Sequence, residues 1–483
     1  MKMAKKLIAG VLGISMMFSL CACGKGGKGG TATGKDDMSE EVTLKWYIMA
    51  QEPAGFDRVM EEANKYIKEK LNAKLELTCI PSGDYQQKTS MILASQEEFD
   101  LMWVNVAYYE SNVTKGAFVQ LDDMLKNTTP ELNKLFEDGV WEATKVDGKI
   151  YGVPMLQVLY DQPGLWFIKS IVDKYNLPVE DIKSAADLTP IYQTVKDNEA
   201  SDIIPIRSAV DGAFMSYMTS VPDTGFYIDE NGKVTNRREE NIAGKKVMQE
   251  WYQKGFFPAD VTTLTDEASL IKAGKIFSRY SRQLPGVSGK FKISNGYDVV
   301  NVETREGVIS RSGVQSTMTA VSATSKHPER AMKLLELMET DKYLFNLMAY
   351  GIEGQDWEKD PSDEERIIRD SSAYYVPEYL IGNQFLAYIL PSYENTVWKE
   401  TEEKNAEAKV DPNNSFSFDR TPVETELVNL ASITKEYDSQ LAYSDIPVEE
   451  TFATIDEKSK LAGIDKVKEE IQAQYDAWAA NNK

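Results

Sequence analysis

The pattern of apolar and polar positions predicts alternating strands and helices at the start of the folded body. The largely apolar runs Val42–Met49, Lys74–Ile80 and Phe99–Val104 predict strands. Between them, apolar residues recur mostly every three or four positions over 56–71, and Tyr85–Ser95 predicts a second helix. This strand–helix–strand–helix–strand order predicts a parallel sheet with helices on both faces.

Three short stretches follow the predicted strands: Ala50–Ala54, Pro81–Tyr85 and Asn105–Tyr109. In sheets of this kind, ligands bind beyond the carboxyl ends of the strands. We therefore expect ligand-binding side chains in these stretches.

A second set of strands and helices begins after Val153-Pro154. Before it, Asp147-Gly148 predicts a hairpin with a two-residue type I′ turn. Strands are predicted at Leu165–Ile168 and Gly274–Tyr280, and the strand Met318–Ala323 precedes a long amphipathic helix. The pattern thus predicts two α/β units joined by a crossing that ends in proline.

The composition excludes several classes of function. The chain has 483 residues, of which 42% are hydrophobic and 27% charged, so it can bury sizeable cores. Its formal net charge of −22 repels phosphate backbones, and we expect no nucleic acid partner. The single histidine, His327, excludes a zinc site built from several histidines, and we expect neither a metal nor a cofactor.

The N-terminus has the features of an export signal. Met1–Lys6 is basic, and Leu7–Leu20 is mostly apolar but shorter than a membrane-spanning helix. The residues up to Cys23 resemble the lipobox of bacterial lipoproteins, which implies a signal peptide over 1–22 and an acyl (palmitate) chain on Cys23. The stretch 23–41 then forms a flexible tether. An ordinary signal peptide, cleaved nearby, is the alternative.

Several stretches, taken in their order along the chain, resemble the bacterial extracellular solute-binding proteins of family 1, the lipoproteins that supply ABC importers. They are Gln96–Leu101, Gly116–Leu125, Val146–Pro154, Lys254–Phe257 and Ser322–Met332. Leu344–Gly354 resembles the signature of a Gram-positive subfamily whose C-terminal region has no known function. The resemblance covers nearly the whole chain.

The resemblance implies an α/β fold of the type II periplasmic-binding-protein class, with two lobes of mixed or parallel sheets flanked by helices and a hinge between them. The first lobe would comprise 42–153 and about 317–355. The second would comprise 154–316 and about 356–483, with a return crossing near 314–318. Closure of the lobes would remove a ligand from water.

The implied function is the solute-binding component of an ABC importer, monomeric and lipid-anchored on the extracellular face of the membrane, with permease subunits as partners. The family's ligands include mono- and oligosaccharides. The 24 tyrosines and 8 tryptophans suit sugars, because the CH faces of sugars pack on aromatic rings. Sugar hydroxyls in turn pair with carboxylates, amides and guanidinium groups.

The predicted ligand-binding residues are chosen by position. Those of the first lobe are Glu52, Asp84, Tyr85, Asn105, Tyr108 and Tyr109. Those of the second lobe and hinge are Asp161, Trp166, Arg207, Arg279 and Tyr280, and the signature region adds Tyr350, Glu353 and Trp357. No catalytic residue is predicted.

Three alternatives stay open at this point. The same scaffold would also suit a peptide or another metabolite, in which case Arg207, Arg279 or Arg282 would face carboxylates of the ligand. A secreted carbohydrate-active enzyme would need two carboxyls about 5–5.5 Å or about 6.5–9.5 Å apart. No hydrolase motif occurs in the chain, so we expect a binding protein. A lipoprotein that signals to a membrane sensor is the third alternative.

Overall fold

The computed structural model describes residues 37–370 and 372–482. The predicted signal peptide, the predicted acylation site Cys23 and most of the predicted tether lie outside these residues. Within the described ranges, no helix combines the length and the apolar character needed to cross a bilayer.

Helices and strands alternate along most of the described chain. Up to the first crossing they are β1 (Val42–Ile48), α1 (Phe56–Leu71), β2 (Ala73–Cys79), α2 (Ser82–Ser95), β3 (Leu101–Val104), α3 (Tyr109–Thr114), α4 (Asp122–Asn127), α5 (Pro130–Lys134), α6 (Asp138–Thr144), β4 (Lys145–Val146), β5 (Lys149–Ile150) and β6 (Gly152–Pro154). The middle of the chain forms β7 (Tyr160–Asp161), β8 (Pro163–Ile168), α7 (Lys169–Tyr175), α8 (Leu188–Asn198), β9 (Ile204–Ile206), β10 (Thr219–Val221), β11 (Phe226–Ile228), β12 (Val234–Thr235), α9 (Arg238–Gln253), α10 (Glu267–Lys272), β13 (Ile276–Arg282), α11 (Val287–Asn295), β14 (Val299–Glu303), β15 (Val308–Ile309) and α12 (Arg311–Val314). The remainder forms β16 (Met318–Val321), α13 (Pro328–Thr340), α14 (Lys342–Tyr350), β17 (Trp357–Asp360), β18 (Asp363–Arg369), α15 (Val397–Glu407), β19 (Lys409–Val410), α16 (Glu424–Ala442), α17 (Val448–Leu461) and α18 (Ile464–Asn482).

The first lobe is built on a five-stranded sheet of order β2-β1-β3-β16-β6. β1 is parallel to both of its neighbours, whereas β16 is antiparallel to β3 and β6. Leu44, Trp46 and Ile48 of β1 are buried in the same core as the apolar face of α1. The predicted parallel sheet is therefore present in three strands and becomes mixed where the returning strand joins.

The second lobe contains a four-stranded sheet of order β14-β8-β13-β9. β13 is parallel to β9 and antiparallel to β8, and the core around them includes Phe167, Trp251 and Phe277. A smaller sheet, β10-β11-β12, has a separate core. Leu427 of α16 and Ile471 of α18 complete this smaller core, so the C-terminal helices are packed on the second lobe.

Within the described chain three crossings connect the lobes, and each contributes a short strand to one hinge sheet of order β19-β15-β7. β7 is antiparallel to β15, and β19 is parallel to it. The sequence predicted the first two crossings, and the lobe boundary near 355 implied a third one there, whereas the third crossing passes through β19. The implied two-lobed α/β fold with mixed sheets and a hinge is confirmed.

The region after α14 differs from the predicted lobe assignment. Trp357 and Tyr374 lie in the core of the first lobe, where they donate hydrogen bonds to the carbonyls of Gly351 and Met348 at 3.0 Å each. These contacts fix the segment against the end of α14. The first lobe therefore extends beyond the predicted boundary near 355, and only the later helices pack on the second lobe.

Candidate functional site

A cavity of about 560 Å³ lies between the two lobes, beside the hinge sheet. This volume falls within the range of about 300–1,000 Å³ that is usual for small-molecule sites. The lining comes from both lobes, from α12 and from the segment that follows β19: Val106, Ala107, Glu110, Ser111, Asp161, Gly212, Met215–Asp223, Tyr227, Arg237, Arg282, Arg305, Ser310–Gly313, Ser316, Asp411, Asn413, Phe416–Phe418 and Arg420.

Three arginines and one carboxylate form a polar group in this cleft. Asp161 on β7 forms ion pairs with Arg305 at 3.2 Å and with Arg282 at 3.6 Å. Nε of Arg282 is the atom that pairs with Asp161, whereas the buried Nε atoms of Arg237 and Arg305 make no hydrogen bond to any described residue. All three arginines line the cleft, where their guanidinium groups are suited to donate to a bound solute.

Two tyrosine rings in the lining each contact one of these arginines. The Cζ atom of Arg237 lies 4.4 Å from the ring centre of Tyr227, and that of Arg305 lies 5.4 Å from Tyr217. Such cation–π contacts orient the guanidinium groups. Burial lowers the pKa of Arg237 and raises the pKa of Tyr217, whose hydroxyl donates to Asp411 at 2.6 Å. Tyr217 is therefore a neutral donor at neutral pH.

Glu110, near the start of α3, connects the first lobe to the hinge. It accepts hydrogen bonds from Nε of Arg311 and from the hydroxyl of Ser417, each at 2.6 Å. Arg311 is only 7% exposed and also donates to the carbonyls of Ala143 at 3.2 Å and Lys145 at 2.7 Å. The carboxylate thus lies where the lobes, the hinge and the C-terminal segment meet.

The lining as a whole combines N–H and O–H donors, carboxylate acceptors and aromatic rings. These are the groups that hold a polar solute with several hydroxyls. Among the described residues, no cluster of three or more His, Cys, Asp or Glu side chains is arranged to hold a metal ion. The arrangement is suited to bind such a solute through hydrogen bonds and ring contacts.

Of the predicted ligand-binding residues, Asp161 lines this cavity. Tyr280 is 40% exposed and does not belong to the cavity lining, although burial and the negative charge of Asp161 raise its pKa. Arg207 and Arg279 instead form ion pairs with Glu267, so their charges are satisfied outside the cavity lining.

Two of the predicted tyrosines are core residues of the first lobe. Tyr85 is buried on α2 and donates to the carbonyl of Trp103 at 2.6 Å. Tyr109 is buried at the start of α3 and donates to the carbonyl of Thr144 at 2.7 Å. Both hydroxyls are engaged by the backbone, and neither residue lines the cleft. Their assignment as ligand contacts is corrected here.

Three further predicted residues are also core residues. Trp166 is buried on β8, with its ring centre 4.9 Å from that of Phe291. Tyr350 is buried at the end of α14 and donates to Glu378 at 2.7 Å. Trp357 is buried on β17. These rings stabilise the two lobes, and the structure does not bring them to the cleft.

The remaining predicted residues lie on loops or helix ends of the first lobe. Glu52, Asp84 and Glu353 are exposed, while Asn105 and Tyr108 are half-buried. None of the five belongs to the cavity lining. The strand exit after β3 nevertheless leads directly into the cleft, because the next residues of that loop do line it.

Four lining residues were not predicted from the sequence: Tyr217, Tyr227, Arg237 and Arg305. Arg282 was predicted only as a contact for a peptide ligand. These residues lie in short strands, loops and helix starts of the second lobe. No periodicity or motif marks them, because the cleft is formed by tertiary contacts between distant segments.

Comparison with known proteins gives two family matches. Residues 49–344 match the model of the bacterial extracellular solute-binding proteins, and residues 412–480 match a domain of unknown function (DUF3502). The chain is also similar to a carbohydrate ABC transporter substrate-binding protein of Streptococcus pneumoniae serotype 4, with 28% identity over 491 residues and 97% coverage of both chains.

The fold is similar to that of the N-glycan transport solute-binding protein NgtS from Streptococcus pneumoniae. One crystal structure of NgtS gives a TM-score of 0.81 at 25% identity and covers 91% of this chain and 100% of that one. NgtS in complex with Man5GlcNAc gives a TM-score of 0.68 at 26% identity, with 91% and 99% coverage.

Proposed function

We propose that this chain, which belongs to the bacterial extracellular solute-binding protein family, captures a mono- or oligosaccharide between its lobes and delivers it to the permease of an ABC importer. One observation carries the proposal: both lobes and the hinge contribute polar and aromatic side chains to a single cavity of about 560 Å³. The similar pneumococcal proteins are named for carbohydrate and N-glycan transport, which supports a carbohydrate as the ligand class.

Recognition of the sugar would depend on the group of arginines and tyrosines in the cleft. The guanidinium groups of Arg237 and Arg282 would donate to sugar hydroxyls, and Asp161 would accept from them. Hydrogen bonds to charged groups contribute about 1.5–3 kcal/mol each when the partners are withdrawn from water. The ring of Tyr227 would pack against an apolar face of the sugar.

Closure of the lobes would withdraw these contacts from water. The similarity to NgtS is higher for the first crystal structure, with a TM-score of 0.81, than for the complex with Man5GlcNAc, with 0.68. Rotation of one rigid lobe against the other lowers overall similarity without changing either lobe. The difference in TM-score supports a hinge that takes different angles, and a closed form would present a distinct surface to the permease.

The protein would work on the outer face of the membrane, held by an acyl chain on Cys23. Cells grown with labelled palmitate should transfer the label to the unmodified protein but not to Cys23→Ala. Labelling of the variant would contradict acylation at Cys23.

The ligand class is tested by isothermal titration of the protein with Man5GlcNAc, a panel of other oligosaccharides and a set of short peptides. We expect one carbohydrate per chain, with the sugar recovered chemically intact. Tyr227→Ala should weaken binding by about 1–3 kcal/mol if the ring is buried against the ligand.

The matched control is Tyr343→Ala. This tyrosine on α14 is 51% exposed and lies outside the cavity lining, so its truncation should leave the affinity unchanged. Binding of peptides in place of every carbohydrate, or turnover of a labelled oligosaccharide, would refute the proposed function.

A further inference from the structure

The domain of unknown function begins inside the cleft. Its match starts at residue 412, directly after the third crossing, and its first residues Asn413, Phe416–Phe418 and Arg420 line the cavity. We infer that residues 411–420, here called the wall segment, form a wall of the ligand site and close one end of the cleft. On this account the site takes the terminal unit of a glycan rather than an internal one. The choice of a glycan as ligand rests on the proposed function.

The second lobe holds one end of the wall segment through buried hydrogen bonds. Asp411 accepts from the hydroxyls of Tyr217 at 2.6 Å and Thr219 at 2.7 Å. Asn413 donates to the hydroxyl of Thr219 at 2.9 Å and accepts from Tyr475 of α18 at 3.1 Å. Since Asp411 and Asn413 are themselves buried, this end of the segment is fixed to the second lobe.

The C-terminal helices support the middle of the wall segment. The ring of Phe416 lies 5.4 Å from that of Tyr475 and 5.8 Å from that of Trp478, measured between ring centres. The amide of Asp419 donates to the side chain of Gln474 at 2.8 Å, and Gln474 donates back to the carbonyl of Asp419 at 2.9 Å. The helical part of the domain thus serves to position the wall segment.

The wall segment also contacts the first lobe and the hinge. The hydroxyl of Ser417 donates to Glu110 at 2.6 Å, and the carbonyl of Asn414 accepts from Arg311 at 3.0 Å. The side-chain amide of Asn414 donates to the carbonyl of Gly139 at 3.3 Å. A segment joined to both lobes blocks the passage of a polymer at its position, so a bound glycan would have to extend away from it.

The wall segment presents polar groups as well as a barrier. Arg420 lines the cavity and forms ion pairs with Asp223, from Nη1 at 3.0 Å, and with Glu424, from Nε at 3.7 Å. Ser417 and Phe418 also line the cavity. A terminal sugar against this wall would therefore meet one guanidinium group, one hydroxyl and one ring.

The inference is tested by titration of Man5GlcNAc, or of the best glycan from a panel, into variants of the wall segment. Ser417→Trp should fill the closed end of the cleft and weaken binding at least tenfold, and Arg420→Ala should weaken it about threefold or more. The control Ser432→Trp, at an exposed position on α16 of the same domain, should bind as the unmodified protein does. Unchanged binding by Ser417→Trp would overturn the inference while leaving the proposed function intact.

A second measurement needs no ligand. In a Cys79→Ser background, Glu110→Cys/Ser417→Cys should be joined by a short thiol-to-thiol crosslinker, whereas Glu110→Cys/Ser432→Cys should not. The crosslink tests the position of the wall segment even if no carbohydrate binds the unmodified protein, a result that would refute the proposed function. The inference would be overturned if Glu110→Cys/Ser417→Cys were crosslinked no faster than Glu110→Cys/Ser432→Cys.

Discussion

Replacement of Arg311 should destabilise the protein more than replacement of any exposed arginine. Its guanidinium donates to Glu110 at 2.6 Å and to the carbonyls of Ala143, Lys145 and Asn414 at 3.2, 2.7 and 3.0 Å. These partners belong to the first lobe and to the segment after the third crossing. Arg311→Met keeps much of the side-chain volume and removes every one of these donors.

The size of the effect follows from the groups left behind. Removal of one partner from a buried ion pair costs about 3–5 kcal/mol, and each buried carbonyl left without a donor costs about 1–3 kcal/mol. The Glu110 side chain is 27% exposed, so water will replace part of what it loses. The contributions of neighbouring groups are not additive, and we expect the free energy of unfolding to fall by about 3 kcal/mol, the low end of the range for a broken buried ion pair.

The assay is urea denaturation followed by tryptophan fluorescence, with Arg279→Met as the matched control. Arg279 pairs with Glu267 but its side chain is 43% exposed, so its loss should cost only about 0–1 kcal/mol. Adding Glu110→Gln to Arg311→Met should recover part of the loss, because the unpaired charge is then gone. Equal stability of the Arg311 and Arg279 variants would show that the buried hydrogen bonds of Arg311 do not stabilise the protein.

Two further predictions concern stability. Glu339 is 1% exposed, and burial raises its pKa well above the usual 4.5. Above about pH 4.5 the carboxyl group ionises in the unfolded chain while it stays protonated in the folded one. The free energy of unfolding therefore falls as the pH rises from about 4.5 towards the raised pKa. Glu339→Gln should thus raise the melting temperature at pH 8 and flatten its decline with pH; an unchanged pH profile would contradict the buried acid. A β-carbon at Gly164 would collide with the carbonyl oxygen of Val302, so Gly164→Ala should cost about 1–3 kcal/mol in urea denaturation. Gly83→Ala, where nothing lies within 4 Å, should cost nothing, and equal effects of the two would contradict the packing of the sheet.

The elements of the first lobe were predictable because they depend on neighbours in sequence. Apolar spacing over 56–71 predicted α1, which spans Phe56–Leu71. The Asp147-Gly148 turn has φ values of 50° and 73°, as a type I′ turn requires. Such local patterns contain the information that decides helix, strand and turn.

The candidate site was much less predictable. Position beyond a strand led the prediction to the loop after β3, which does enter the cleft, but it selected none of that loop's residues that line the cavity. It failed for Tyr85 and Tyr109 because the backbone carbonyls that accept from their hydroxyls belong to residues 18 and 35 positions away. Sequence position alone does not reveal which rings such tertiary contacts bury. The wall segment, 411–420, reaches the cleft through a third crossing at β19, a position that no sequence pattern indicated.

A crystal structure of the protein with a bound oligosaccharide would show directly whether the cleft is the ligand site. We expect the sugar to lie between the lobes, with Asp161, Tyr227 and Arg237 in contact and its terminal unit against the wall segment. A sugar bound outside the cleft, or held by one lobe alone, would contradict it.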